Sequence, residues 1–426
     1  MNKKDYKPRL IDNKVKEYLS LAKAICIEGP KWCGKTWTST YHSSSQYYVG
    51  DPSNNFTNRR LAEMDPLKVL NGDLPRLIDE WQEVPSLWDA TRMKVDETNL
   101  KGQYILTGSS TPIRKGVLHS GTGRIFKLRM HTMSLFESGD SDGKVSLKEI
   151  CGNFFDETIL TGDVDLEKLA YLIVRGGWPD NINVPKEKAG VLPKGYIDSV
   201  LYEDIQKLDE NVKYETNKVS LLLRSLARNE STTITNLSLS KDISATDKGL
   251  VSDETINKYI NSLSRLFLLE NQKPFSPAIR SSLRIKQGEK RHFCDPALAC
   301  AALNLNEAKL MNDLDTFGFM FEALVERDLR IYAQTFNAEL FHYQDYSNNE
   351  IDAVIELEDG NWCAIEIKLG ANQIDSAAAK LIKINKDISE HGGKPAQSLC
   401  VICGLSNAAY KRPDGVYVVP LTSLKN

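Results

Sequence analysis

The run Gly29-Pro30-Lys31-Trp32-Cys33-Gly34-Lys35-Thr36, entered by the apolar segment Ala24–Ile27 and left by a helical pattern, constrains this chain more than any other feature. It satisfies G-x-x-x-x-G-K-[ST] in full. The glycines let the backbone curl so that successive N–H groups point inward at phosphates. All eight residues are therefore expected to bind nucleotide. Lys35 is expected to neutralise the β- and γ-phosphates, and the Thr36 hydroxyl to ligate Mg²⁺. The start of the following helix adds a favourable field for the anion. Short apolar runs at Lys23–Glu28, Leu74–Asp79 and Gln103–Thr107 alternate with helical patterns, which predicts a parallel sheet covered by helices.

A second element reinforces the first. Leu77-Ile-Asp79-Glu80 ends a predicted strand, as a Walker B segment does. Asp79 would hold the Mg²⁺ shell, and Glu80 would be the base that orients or activates water. The next strand ends in Thr107-Gly-Ser109-Ser110, whose hydroxyls are candidates for touching the γ-phosphate or the water. Arg124 is a candidate for stabilising transferred charge, in cis or across a subunit interface, with Arg129 and Arg175 as rivals. The cofactors implied are ATP and Mg²⁺. An Asp–Glu pair suits attack by water, which disfavours a nucleotide kinase.

The chain has 426 residues, too many for one ordinary core. Four blocks are predicted: an ATPase core over 1–145, a helical lid over 146–215, a winged helix over 216–305 and a mixed α/β domain over 306–426. Net charge is −3, so any nucleic-acid surface must be local. No apolar run approaches the roughly 20 residues that cross a bilayer, and the start of the chain lacks a signal-peptide core. The eight cysteines sit mostly in apolar runs. Cys400-x-x-Cys403 has no second pair, so core packing is expected there rather than zinc. These features together predict a reduced, cytoplasmic protein.

In the last block Glu322 falls on a predicted helix, Asp352 begins one strand, and Glu366-Ile-Lys368 lies on the next. Alternation puts Glu366 and Lys368 on one strand face. Carboxylates converging from adjacent strands can hold a second Mg²⁺, with Lys368 orienting water. The order helix-Glu, strand-Asp, strand-Glu-x-Lys resembles the PD-(D/E)xK restriction-endonuclease-like superfamily. The resemblance implies that fold; it does not establish cleavage. In the third block the helix over 252–265 carries Asn257, Lys258, Asn261 and Arg265, and is followed by Lys273, Arg280, Arg284, Lys286, Lys290 and Arg291. The helix is the expected recognition helix and the basic residues after it are expected phosphate contacts on a wing, with protein contact as the alternative use of the domain.

Taken with Pro8-Arg9, Leu77-Ile-Asp-Glu-Trp-Gln82, Gly123-Arg124 and Arg175-Gly-Gly-Trp-Pro179, these motifs resemble a widespread prokaryotic group of AAA-type P-loop ATPases. That group joins the ATPase to a winged helix and a C-terminal domain of unknown function. The resemblance implies ATP and Mg²⁺ binding, and Lys31 departs from its usual arginine with the charge kept. Two functions follow as expectations. One is ATP hydrolysis coupled to a DNA-binding, nuclease-like C-terminal half. The other is an ATP-dependent switch or scaffold for a protein partner, with an inactive nuclease fold. A homo-oligomer is compatible with either.

Overall fold

A computed structural model describes residues 2–111, 120–208, 212–246, 252–277, 286 and 288–426. The chain divides into two compact units. The first comprises 1–132, 203–213 and 261–268. The second comprises 133–202, 214–260 and 269–426.

The first unit contains α1 (Asp12–Leu21), β1 (Ala24–Glu28), α2 (Lys35–His42), β2 (Ser45–Tyr48), β3 (Arg76–Asp79), α3 (Ser86–Lys94), β4 (Tyr104–Gly108) and β5 (Ile125–Arg129). The strands form one sheet in the order β2-β3-β4-β1-β5, parallel throughout. Both faces are buried, and side chains alternate between them. Ala24, Cys26, Ile78 and Leu106 pack with Trp81, Trp88 and Val84 on one face. Ile25, Ile27, Leu77 and Ile105 pack with Ile11, Val15 and Met130 on the other. A parallel strand covered on both faces reads as an unbroken apolar run, which is how β1, β3 and β4 were visible in the sequence. β4 lies between β1 and β3, so the residues at its carboxyl end stand beside both the phosphate loop and Asp79–Glu80.

The second unit holds the small strand β6 (Ile159–Leu160), α4 (Leu166–Arg175), and three helices, α5 (Thr216–Arg228), α6 (Asn236–Thr246) and α7 (Asp253–Arg265), of which α7 runs on past residue 260. Antiparallel bridges then join Leu269 to Phe293 and Gln272 to Lys290. Its further elements include β7 (Lys273–Pro274), α8 (Leu314–Thr335), β8 (Glu339–Gln344), β9 (Glu350–Glu356), β10 (Trp362–Lys368), α9 (Ile374–Glu390), β11 (Ser398–Cys403), β12 (Ala408–Lys411) and β13 (Tyr417–Pro420). The sheet runs β6-β12-β13-β11-β10-β9-β8-β7. Ile374, Ala378, Leu381 and Ile384 of α9 pack on Val354, Trp362, Ala364 and Val401 of the sheet.

The Arg-Gly-Gly-Trp-Pro run is structural in this unit. Gly176 has φ +69, and a side chain at Gly177 would meet the Met133 carbonyl at 2.2 Å. Arg175 is buried and pairs with Asp140 at 2.8 Å, which removes it as a source of charge for nucleotide. Among the described residues all eight cysteines are buried and free, and no helix is long and apolar enough to cross a membrane.

Candidate functional site

The phosphate loop leaves the carboxyl end of β1 and enters α2. Its glycines are there for space and for backbone hand. A Cβ at Gly29 would lie 2.1 Å from the Met130 carbonyl, and Gly34 sits at φ +108, where side chains are strained. Trp32 is also left-handed, at φ 61, and is half exposed. Lys35 is buried, and its Nζ donates to the Pro30 carbonyl at 2.8 Å, inside the loop's own curve.

The end of β3 meets this loop. Thr36 Oγ1 donates to Asp79 Oδ1 at 2.9 Å, and Thr107 Oγ1 donates to the same oxygen at 2.6 Å. Burial pushes the Asp79 carboxyl above its ordinary value, against those hydrogen bonds and the nearby Lys35 charge. Glu80 adopts φ 56, ψ 48, a left-handed conformation that a residue with a side chain adopts at a cost of order 1–3 kcal/mol. Its backbone N–H donates to Thr107 Oγ1 at 3.0 Å. Its carboxylate accepts from Ser109 Oγ at 2.8 Å and from the Gln82 amide. Thr107 and Ser109 thus reach Asp79 and Glu80 from the middle strand. The donor set fits Mg²⁺ with nucleotide: a hydroxyl and a carboxylate are already in contact beside a buried lysine and an open-handed glycine loop.

Arg124 is not brought to this place. The register pairs Ala24 with Ile125 and Glu28 with Arg129, so Arg124 lies at the amino end of β5 while the loop leaves the carboxyl end of β1. That is roughly 15 Å of strand away. Arg124 instead pairs with Asp96 at 2.7 Å. A role in cis is thereby corrected, and only a neighbouring subunit's site is left to it. Arg129 lies at the loop end of the sheet, with its guanidinium 4.0 Å from the Phe267 ring centroid.

Sequence reasoning gave no role to three supporting residues. Arg9 is buried and donates to the Cys33 carbonyl at 2.7 Å and to the His131 and Thr132 carbonyls at 3.0 and 3.2 Å, tying the loop to the exit of β5. Gln82 orients Glu80. Asp204 ends a π-helical turn over Val200–Asp204 and pairs with Lys31 of the loop at 2.5 Å. Arg9 was visible only as part of a motif. Nothing local in the sequence links Asp204 to Lys31.

The second unit gathers the other predicted residues. β9 carries a bulge between Ile351 and Val354, where Asp352 lies. The β9–β10 register, continued one residue past Ala353–Ile365, sets Asp352 opposite Glu366, and the adjoining Ile367 N–H donates to Asp352 Oδ2 at 2.8 Å. Lys368 bridges Asp352 at 3.2 Å and Glu366 at 2.9 Å, and Lys380 of α9 meets Glu366 at 2.8 Å. Glu322 of α8 meets Lys290 at 2.7 Å. Burial, with the charges of Asp352 and Glu326, pushes the Glu322 carboxyl up to about 8 against the pull of Lys290. Behind it His292 is held between Glu326 at 2.5 Å and Glu230 at 3.0 Å. Among the described residues no group of three His, Cys, Asp or Glu side chains is arranged to hold a metal.

The expected wing is corrected in part. Lys290 is fully buried rather than presented to phosphate. Arg291 donates to Asn236 at 2.9 Å, and Lys286 to Asn348 at 2.6 Å. Arg280 and Arg284 lie outside the described residues. On α7, Lys258 pairs with Glu254 at 3.0 Å, and Arg265 donates to the Thr111 carbonyl at 2.9 Å.

Residues 21–138 match a family profile described as an AAA domain. The first unit has a P-loop ATPase-like fold. Residues 166–309 and 317–424 match two profiles described as domains of unknown function, DUF8612 and DUF4143. The chain is 23% identical over 359 residues to the uncharacterized proteins Mb2031c of Mycobacterium bovis and Rv2008c of Mycobacterium tuberculosis, covering 83% of this chain and 72% of each relative. Among solved structures it is similar to the Walker-type ATPase PABY2304 of Pyrococcus abyssi, at 14% identity over 70% of this chain and 97% of that one, with a TM-score of 0.42. It is also similar to the Orc1 protein of Aeropyrum pernix in complex with DNA, at 12% identity over 73% and 95%, with a TM-score of 0.24. Likeness at these scores carries no argument about function.

Proposed function

We propose that the first unit binds ATP with Mg²⁺ and hydrolyses it, with Glu80 as the group that orients and deprotonates water. The observation that carries this is the posture of Glu80. It directly follows Asp79, in a left-handed turn, with its N–H on Thr107 and its carboxylate held by Ser109 and Gln82. Such strain persists where the surroundings over-determine it, and it clusters at functional sites. Lys35 would leave the Pro30 carbonyl for the phosphates, and the loop's curve would cradle them. Thr36 and Asp79 would hold Mg²⁺, whose charge would offset that of the phosphates. Thr107 would fix Asp79, and Ser109 with Gln82 would keep Glu80 from turning away. Any arginine contribution would come from Arg129 or from Arg124 of a second copy, since Arg124 faces away from its own site.

The four-block division of core, lid, winged helix and PD-(D/E)xK-like domain is part of the same proposal. For the C-terminal half, two uses stand: DNA binding with a nuclease-like centre, or a nucleotide-dependent switch that holds a protein partner. The lysine-saturated carboxylates favour the switch, and so do the internal pairs made by the basic residues near α7. Nucleotide binding and phosphate release, measured with and without DNA at two salt concentrations, test both levels. ATP binding lost in Lys35→Ala supports the site. DNA binding that weakens steeply with salt would restore the nucleic-acid use.

A further inference from the structure

A nuclease-like arrangement of Glu322, Asp352 and Glu366 calls for a divalent cation, and the chain's own side chains already stand where it would be. Lys290 is central. Its Nζ lies 2.7 Å from Glu322, 3.5 Å from Glu326 and 3.8 Å from Glu350. It also donates to the Asp352 backbone carbonyl at 3.1 Å. The residue is fully buried, and its backbone is fixed by reciprocal 2.9 Å bonds with Gln272. The other two carboxylates are taken as well. One Asp352 oxygen receives both the Ile367 N–H at 2.8 Å and Lys368 at 3.2 Å. The two oxygens of Glu366 face Lys368 at 2.9 Å and Lys380 at 2.8 Å.

Mg²⁺ demands oxygen lone pairs at roughly 2.0–2.1 Å in near-octahedral array. Here Glu322 Oε1, Asp352 Oδ2 and both Glu366 oxygens already lie 2.7–3.2 Å from an ammonium group, so the residues present do not fit the ion. We propose that Lys290 is the resident cation of this cluster: with Lys368 and Lys380 it takes the place of the divalent ion, and the second unit binds no metal there. Three ammonium groups balance the carboxylates that a metal would otherwise gather, and the ammonium of Lys290 pins the Gln272–Lys290 bridge to α8 and β9. The unit is then built to hold its shape without metal, which suits recognition and not hydrolysis of a phosphodiester. The inference is independent of the ATPase reading, because it concerns only the second unit.

Mn²⁺ binding to the full chain without nucleotide, followed by electron paramagnetic resonance and by Mn²⁺-dependent change in Tm, tests it. The proteins compared are wild type, Asp352→Asn, Lys290→Met and the double variant Lys290→Met/Asp352→Asn. Wild type and Asp352→Asn are expected to bind Mn²⁺ indistinguishably. Lys290→Met, which vacates the place shared by Glu322, Glu326, Glu350 and the Asp352 carbonyl, is expected to gain one Mn²⁺ and a Tm that rises with it, both weakened in the double variant by loss of the neighbouring Asp352 charge. A wild-type Mn²⁺ whose affinity falls tenfold or more in Asp352→Asn overturns the proposal. So does a folded Lys290→Met that gains no Mn²⁺. If Lys290→Met does not fold, the comparison of wild type with Asp352→Asn decides alone. Phosphate release is measured in parallel, and its loss or retention bears on the ATPase and not on this proposal.

Discussion

Raising the pH should loosen the second unit through His292. The imidazole is buried and held between Glu326 and Glu230. Burial alone would lower it. The charges and hydrogen bonds of Glu326 and Glu230 outweigh burial and raise it from 6.5 to about 9. At 1.36 kcal/mol per tenfold change in proton affinity, that rise corresponds to about 3 kcal/mol. Because the folded value lies above the unfolded one, the stabilisation is fully present below pH 6.5 and is lost as pH climbs through 9. Asp352 and Glu326 are held below their ordinary values, so their contributions are complete well before this window opens. His342 also faces this group, and burial with the Lys290 charge lowers it to about 4, so it carries no charge in this window. Lys290 keeps its own throughout, its value lying far above the window. Urea unfolding followed by fluorescence of the buried Trp178 and Trp362, at pH 6, 7.5 and 9, should show the midpoint falling with pH. Glu322, raised to about 8, loses stabilisation in the same direction as pH climbs through 8, so in His292→Gln the fall should be shallower, most visibly between pH 7.5 and 9, and not abolished. The same slope in both proteins, or a midpoint that rises with pH, would refute the reasoning.

Gly29→Ala drives a Cβ to within 2.1 Å of the Met130 carbonyl, so it should cost about 1–3 kcal/mol and weaken nucleotide binding, read by thermal denaturation and titration. Arg327→Met leaves Asp295 and Asp328 buried without their partner, and should cost about 3–5 kcal/mol in urea unfolding. Asp204→Asn releases Lys31 toward the phosphates, so ATP affinity should rise up to about fivefold, near 1 kcal/mol; a fall would make Asp204 a support of the loop instead.

How far the sequence could be read depended on whether a residue's neighbours were local. The phosphate loop and the Asp79–Glu80 turn are short, and their geometry follows from strand, glycine and helix in succession. The strands of the second sheet were likewise legible, since Glu350–Glu356 and Trp362–Lys368 are short, mainly apolar runs, buried along nearly their whole length. Arg124 misled because a motif gives order along the chain but not which end of a parallel strand faces the loop. Lys290 misled for a different reason. A lysine among other basic residues reads as surface, and only the fold brings Glu322, Glu326 and Glu350 around it. The small strands β6 and β7 have two residues each, too few for any pattern to register.

The central claim is that Glu80 acts on water at a nucleotide held by the phosphate loop. Its most direct test is single-turnover release of phosphate from ATP by Glu80→Gln, alongside ATP affinity in the same protein. The account predicts affinity within about threefold of wild type and hydrolysis slowed by roughly 10²–10⁴-fold, the range for losing a positioned general base. Hydrolysis at the wild-type rate in Glu80→Gln, with ATP still bound, would contradict it.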